Sequence, residues 1–213
     1  MKLKFFLSMI LLSTIMLSCK KNKDYPVPEE MKQYFVFQKG SYWIYKNDST
    51  GEIDSTYVNI QSSFIDENGY PGKNREVNLV YYTSKFLLEY QLVYACLDAC
   101  GLSISTKIDT LTADQIRLVD LIAYVDSWQP NTNFTLNGCG AFGIYTYNRL
   151  PNKTINNKTY QNIIYSKNTS SDSSSFYREF YFAKNIGIIQ FSEKNKYHNF
   201  KRSYSLLRHK VIQ

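Results

Sequence analysis

The chain has 213 residues, 44% of them hydrophobic and 16% aromatic, with a formal net charge of +7. That length supports one domain of ordinary size with a buried core. The positive charge is scattered apart from Lys194 to Arg202; this is a solvated surface and excludes a nucleic-acid-binding stripe, so no nucleic acid partner is expected.

Lys2 and Lys4 precede an apolar run from Phe5 to Leu17 that only Ser8, Ser13 and Thr14 interrupt. The run falls short of the about 20 residues that a bilayer-crossing helix needs, and its flanks suit a cleaved signal peptide over residues 1–18. Met16-Leu17-Ser18-Cys19 resembles the lipobox of bacterial lipoproteins. The resemblance implies that Cys19 carries palmitate-type acyl chains and becomes the new N-terminus; Met16 stands where leucine is commonest and keeps its size and hydrophobicity. At about 0.8 kcal/mol per buried CH₂, several chains hold a domain firmly on a membrane. Residues 20–33 are polar and contain Pro26 and Pro28, so they are expected to form an extended or flexible tether reaching about 45 Å. A single domain over 34–213 follows. No aspartate follows Cys19 directly and no strongly acidic run comes after it. By likeness to sorted lipoproteins, this favours the outer membrane, facing the periplasm.

From Ser41 the pattern is strand after strand. "SYWIYKN" alternates and breaks at "NDSTGE"; "IDSTYVNIQSSFI" follows, and "DENGYPGKN" is a turn with Asn68-Gly69 and Pro71-Gly72. "REVNLVYYTS", "FLLEYQLVYAC" and "GLSISTKI" continue the series. "KTYQNIIYS", "SFYREFYFA", "IGIIQFS" and "FKRSYSLLRHKVI" complete it. The 19 tyrosines and 13 phenylalanines, against 2 tryptophans, suit pleated, half-buried surfaces. The fold class expected is all-β: an antiparallel barrel-like or strongly curved sheet, with a β-sandwich as the alternative. One segment reads two ways. Over 113–125, capping-box spacing from Thr112 to Gln115 and a face of Ile116, Val119, Ile122 and Val125 favour a helix. As a strand, Arg117, Val119, Leu121, Ala123 and Val125 share a face.

"GSYWIY", "TINNKTYQNIIY" and "FYFAKNIGIIQF", together with the lipobox, resemble a broad group of Bacteroidota-type outer-membrane lipoproteins. The group shares an aromatic opening strand, a Gly-Lys-x-Tyr-x-Asn-Val strand and a late Tyr-Phe-Ala-x-x-x-Gly-Ile hairpin. Asn157 stands where the middle motif usually has glycine, and both residues tolerate φ > 0. The resemblance implies a β-rich, curved body, tips the 113–125 segment toward strand and implies no catalytic residues. Locally, Lys184-Asn185 is expected to form a tight connection, Gly187 a bulge or close backbone approach, and the strand from Phe200 to Val211 to close the sheet. Asp48-Ser49-Thr50, Asp54-Ser55-Thr56 and Asp109-Thr110-Leu111 resemble the O-glycosylation sequon of exported proteins in the same group, which implies glycan on Ser49, Ser55 or Thr110.

Catalytic chemistry is sparse. His198 and His209 are the histidines, no His/Cys/carboxylate spacing matches a zinc site, and no nucleophile elbow is present. Glu179 lies between Tyr177 and Tyr181 on one strand face, a place a glycosidase carboxylate could occupy if it had a partner. Cys96, Cys100 and Cys139 remain beyond Cys19. In an oxidising compartment one disulfide is expected, Cys100 with Cys139, since Cys96 and Cys100 would stand about 13 Å apart on a straight strand. No catalytic, cofactor or metal residue is assigned. The function expected is a lipid-anchored envelope protein that binds a lipid or carbohydrate without catalysis. The alternatives are a periplasmic lipid or lipoprotein carrier with an apolar cavity, and a hydrolase of envelope sugars or peptides.

Overall fold

Alternation along β10 (Phe176–Ala183) shows how the sequence builds this structure. Arg178, Phe180 and Phe182 are buried while Tyr177, Glu179 and Tyr181 are half-buried, so one strand supplies a core face and a second face of different chemistry. The computed structural model describes residues 26–67, 74–84, 88–96, 99–106, 118–124, 133–134, 145–168, 176–195 and 200–213. A short helix, α1 (Glu29–Phe35), precedes β1 (Tyr42–Asn47), β2 (Ile53–Asp66), β3 (Arg75–Thr83), β4 (Leu88–Cys96), β5 (Ala99–Thr106) and β6 (Leu118–Tyr124). Then come β7 (Asn133–Phe134), β8 (Tyr145–Ile155), β9 (Lys158–Asn168), β10, β11 (Gly187–Asn195) and β12 (Phe200–Lys210).

All twelve described strands form one antiparallel sheet in the order β6-β5-β4-β3-β2-β1-β12-β11-β10-β9-β8-β7. The sandwich alternative, which needs two packed sheets, does not apply to them. The order is the chain order read as a ring, with β12 pairing β1 and the ring open between β6 and β7. Two independent lengths require strong curvature. Strands lie about 4.8 Å apart, so a flat sheet in this order would set β6 and β7 about 53 Å apart. Residues 125–132, which join them, span at most about 32 Å. In addition, Phe35 of α1 accepts a hydrogen bond from Gln91 Nε2 of β4 at 2.9 Å. The ring of Phe35 also meets Phe182 of β10 edge-on at 5.0 Å. Those strands would be about 29 Å apart if flat, while a helix is only about 10–12 Å across. The sheet therefore rolls around α1.

The helix corrects the expected tether. Val27 is 1% exposed and Met31 2%, so the folded body begins at about Val27 rather than at residue 34. Met31, Tyr34 and Phe35 form the buried face of α1, and Glu29 and Glu30 occupy its first turn, where they complement the helix dipole. The polar residues between the apolar ones hide a helix of barely two turns. The 118–124 segment is a strand paired with β5, as the resemblance implied; the rest of the ambiguous stretch lies outside the described residues. The helix alternative fails there because its apolar residues gain backbone partners from β5, which local capping signals do not reveal.

β8 was not expected, and Pro151 is the reason: a proline demotes a strand reading because it has no N–H for the ladder. The ladder with β9 passes from Leu150↔Ile163 to Asn152↔Gln161 across it, and Asn162 opposite has φ 52°. Asn156 and Asn157, with φ 49° and 62°, form the two-residue turn of this hairpin. The hairpin leans back across the sheet, so that Asn156 Nδ2 donates to the Leu206 carbonyl of β12 at 3.2 Å. The β10–β11 connection is a three-residue turn, Lys184 to Ile186, one longer than expected. Asn185 takes the left-handed conformation, and the β10–β11 register shifts between Tyr181 and Phe182.

Candidate functional site

Among the described residues, α1 and the facing strands pack into one apolar core. Tyr34, Phe37, Trp43, Tyr82 and Phe182 surround a cavity of ≈ 10 Å³ measured as space for a water centre. That is about what one water needs, against about 300–1,000 Å³ for a small-molecule site. Polar groups around it are paired: Tyr82 Oη donates to Gln91 Oε1 at 2.9 Å, and Tyr45 Oη to the Ile188 carbonyl at 2.9 Å. Burial pushes both phenols well above their ordinary pKa.

Toward the other end the interior turns polar. Glu193 of β11 accepts from Arg178 Nε of β10 at 2.8 Å and from Arg202 Nε of β12 at 3.0 Å. All three are buried, so this ionic bridge fixes the register of three consecutive strands. Sequence reasoning missed it because the partners meet only through the ladders Arg178↔Glu193↔Arg202.

The opposite face of β10 holds the constellation with the most chemical character. Tyr177 Oη donates to Glu179 Oε2 at 2.8 Å and Tyr181 Oη to Oε1 at 3.0 Å. The β9–β10 register sets Tyr165 directly opposite Tyr181; their rings stack at 4.7 Å and 28°. Tyr165 thereby joins Tyr177, Glu179 and Tyr181 on one face of the sheet. Lys153 Nζ lies 3.7 Å from the Tyr181 ring centroid, a cation–π contact. Burial first, then Glu179 and its negative charge, raise all three phenols, Tyr177 to about 12. They stay protonated at neutral pH and act as donors, not as bases or nucleophiles. Glu179 faces Lys167 on β9 and Ser192 on β11, so neither cross-strand neighbour supplies a second carboxylate for glycoside cleavage. Two of these tyrosines were legible at i, i+2 spacing; Tyr165 joins them only through pairing.

The remaining expected sites are apart from this one. His209 of β12 is opposite Trp43 in register, with Nδ1 buried and without a hydrogen bond; burial and then the charge of Lys158 lower its pKa. His198, Cys19, Thr110 and Cys139 lie outside the described residues. Cys96 pairs with Ala99 and Cys100 with Ala95. These two cysteines therefore flank one hairpin, and the straight-strand distance between them does not apply. Ser49 is exposed in the turn after β1, its N–H held by Asn47 Oδ1 at 2.9 Å. Ser55 sits in mid-strand between Asp54 and Thr56, both 0% exposed. Among the described residues, no three His, Cys, Asp or Glu side chains converge as metal ligands.

No family model matches the chain, and no curated protein matches it. Among solved structures, it is similar to a Bacteroides fragilis protein described as exported and as having a YmcC-like fold. That protein is 11% identical, with 83% of this chain and 98% of the other covered and a TM-score of 0.36. A Parabacteroides distasonis protein described as a lipoprotein is 13% identical, with 83% and 99% covered and a TM-score of 0.34.

Proposed function

We propose that this protein is a lipid-anchored component of the cell envelope that binds a ligand without catalysis, using the tyrosine face of β9 and β10. The observation that carries the binding reading is the convergence of Tyr177 and Tyr181 on Glu179, with Tyr165 stacked on Tyr181. Stacked phenol rings offer apolar area with hydroxyls at fixed positions, and aromatic area carries most of the energy at such contacts. Carbohydrate is the ligand class that suits this combination, since a sugar presents an apolar ring face and hydroxyls to both donors and acceptors. The test is substitution: Tyr177→Ser with Tyr181→Ser should weaken ligand retention by about tenfold or more. Glu179→Gln, which keeps an acceptor for the phenols, should cost only a few-fold. Complete loss from Glu179→Gln alone in a folded protein, with the tyrosine pair dispensable, would be the signature of an enzyme.

The anchor belongs to the same proposal and is supported by the order of charge, apolar run, Ser18 and Cys19. The address proposed is the outer membrane, facing the periplasm. Cys19→Ser should abolish processing by the lipoprotein route and membrane retention in high salt. A Ser variant that still sediments with membranes as the processed form would remove the anchor. A Cys100–Cys139 disulfide and glycan on Ser49, Ser55 or Thr110 are further parts of this reading, checked by intact mass with and without reductant. Ser55 lies in a segment that a glycosyltransferase could grip only before the sheet forms.

A further inference from the structure

We infer that the α1 end of the rolled sheet is a membrane-contact surface, built to rest on an anionic bilayer. Its orientation rests on the lipid-anchor reading, but its chemistry is carried by other residues. The first observation is where the chain enters the folded body. The Val27 N–H is held by Glu76 Oε2 at 2.9 Å, and Glu76 pairs with Ile65 near the tip of the β2–β3 hairpin. From Pro26 back to Cys19 the chain reaches at most about 25 Å. An acyl chain on Cys19 would therefore enter the membrane within about 25 Å of Pro26, on the side of the body where this hairpin lies.

The hairpin itself is the second observation. β1 pairs with β2 only as far as Tyr57, while the β2–β3 ladder runs on to Asp66↔Arg75. Beyond β1 this part of β2 is an open edge of the sheet, β3 remaining paired with β4, and its apolar residues are exposed: Ile60 53%, Phe64 49% and Ile65 52%. Phe64 and Ile65 are consecutive in a strand and so point to opposite faces; both are open to solvent on β2, while Val77 and Asn78 on the paired strand β3 are buried. Ile212, 37% exposed, lies at the same end, because Ile212 and Ser41 are hydrogen-bonded through N–H to Oγ at 2.9 Å.

Charge is the third. At this end Lys32 is shared by the carboxylates of Glu29 and Glu76, Arg149 pairs with Glu30 and Arg75 with Asp66, which leaves one negative charge in excess. Lys39 leads into β1, Lys184 is in the β10–β11 turn and Lys210 ends β12 opposite Tyr42. Lys158 acts electrostatically on His209, the neighbour of Lys210. These four lysines are in no ion pair among the described residues, and Glu67 is the acidic side chain there that also has none. Exposed apolar side chains and lysines at one end of the sheet match the interface of an anionic bilayer, where the apolar groups enter the acyl boundary and the lysines meet phosphates. The ionic bridge at Glu193 then lies at the end away from the membrane.

The test uses the mature chain without acylation, starting at residue 19 with Cys19→Ser, in flotation with phosphatidylglycerol-containing vesicles and with pure phosphatidylcholine vesicles. Binding to the anionic vesicles should be about tenfold stronger or more, and should fall away in about 1 M salt, where the Debye length is about 3 Å. Joint change of Lys39, Lys158, Lys184 and Lys210 to Gln should remove the preference, and Phe64→Ser with Ile65→Ser should weaken binding to both vesicle types. Lys46→Gln with Lys201→Gln, at the opposite end, should leave binding unchanged. Equal binding to the two vesicle types, no binding to either, or an equal loss from the Lys46/Lys201 pair would overturn the inference. Circular dichroism confirms that each variant folds. An unacylated Cys19 in protein from its own envelope would remove the anchor while leaving the vesicle result to decide the contact.

Discussion

Gly187 has φ +89°, and a Cβ placed there would stand 3.0 Å from the ring of Phe37. Both the backbone angle and the contact require glycine. Gly187→Ala should therefore lower stability by about 1–3 kcal/mol, read as a shift in the denaturant midpoint with the slope unchanged. Unchanged stability would mean that this turn is not packed against Phe37 as described. Gln91 makes a different kind of residue-level claim. Its amide accepts from Tyr82 and donates to the Phe35 carbonyl, one of the carbonyls that a helix end leaves without an internal partner. Gln91→Leu keeps the bulk but strands both groups, and should cost about 2–4 kcal/mol. A loss below about 0.5 kcal/mol would show that water or another group reaches them.

At the scale of elements, α1 is held by an ion-pair junction as well as by its apolar face. Burial raises the Glu76 carboxyl, but hydrogen bonds from Lys32, Asn78 and the Val27 N–H, with the charge of Lys32, bring it below the ordinary value of 4.5. A depressed carboxyl contributes stability that is present above the unfolded pKa and is lost as pH falls through the folded one. Amide exchange over residues 27–36 should therefore quicken as pH drops below about 4.5, after correction for intrinsic rates. In Glu76→Gln that step should vanish; a step of the same size in the variant would assign it elsewhere. The same junction shows why α1 was illegible. Val27, Met31, Tyr34 and Phe35 are separated by Glu, Lys and Gln, and their burial depends on strands distant in sequence. β9 to β12 were legible because "FYREFYFA" and "FKRSYSLLRHKVI" alternate over lengths that match the observed strands. β8 was not, since Pro151 breaks the local pattern that the ladder with β9 tolerates.

For the whole molecule, the chain folds as two meanders, β1 to β6 and β7 to β12, joined where β1 pairs β12. A curved all-β body was readable from repeated short strands; that α1 would pack against it, burying Met31, Tyr34 and Phe35, was not. The candidate site was half readable for the same reason: Glu179 with Tyr177 and Tyr181 is local, Tyr165 is not. The account's central claim is a lipid-anchored body that binds through its tyrosine face. Native mass spectrometry of the protein purified from its own envelope tests it most directly. The predicted result is a chain starting at an acylated Cys19, with a co-purifying carbohydrate that is retained in Glu179→Gln and lost in the Tyr177→Ser, Tyr181→Ser variant. An unacylated chain, or a ligand that the tyrosine variant retains in full, would contradict it.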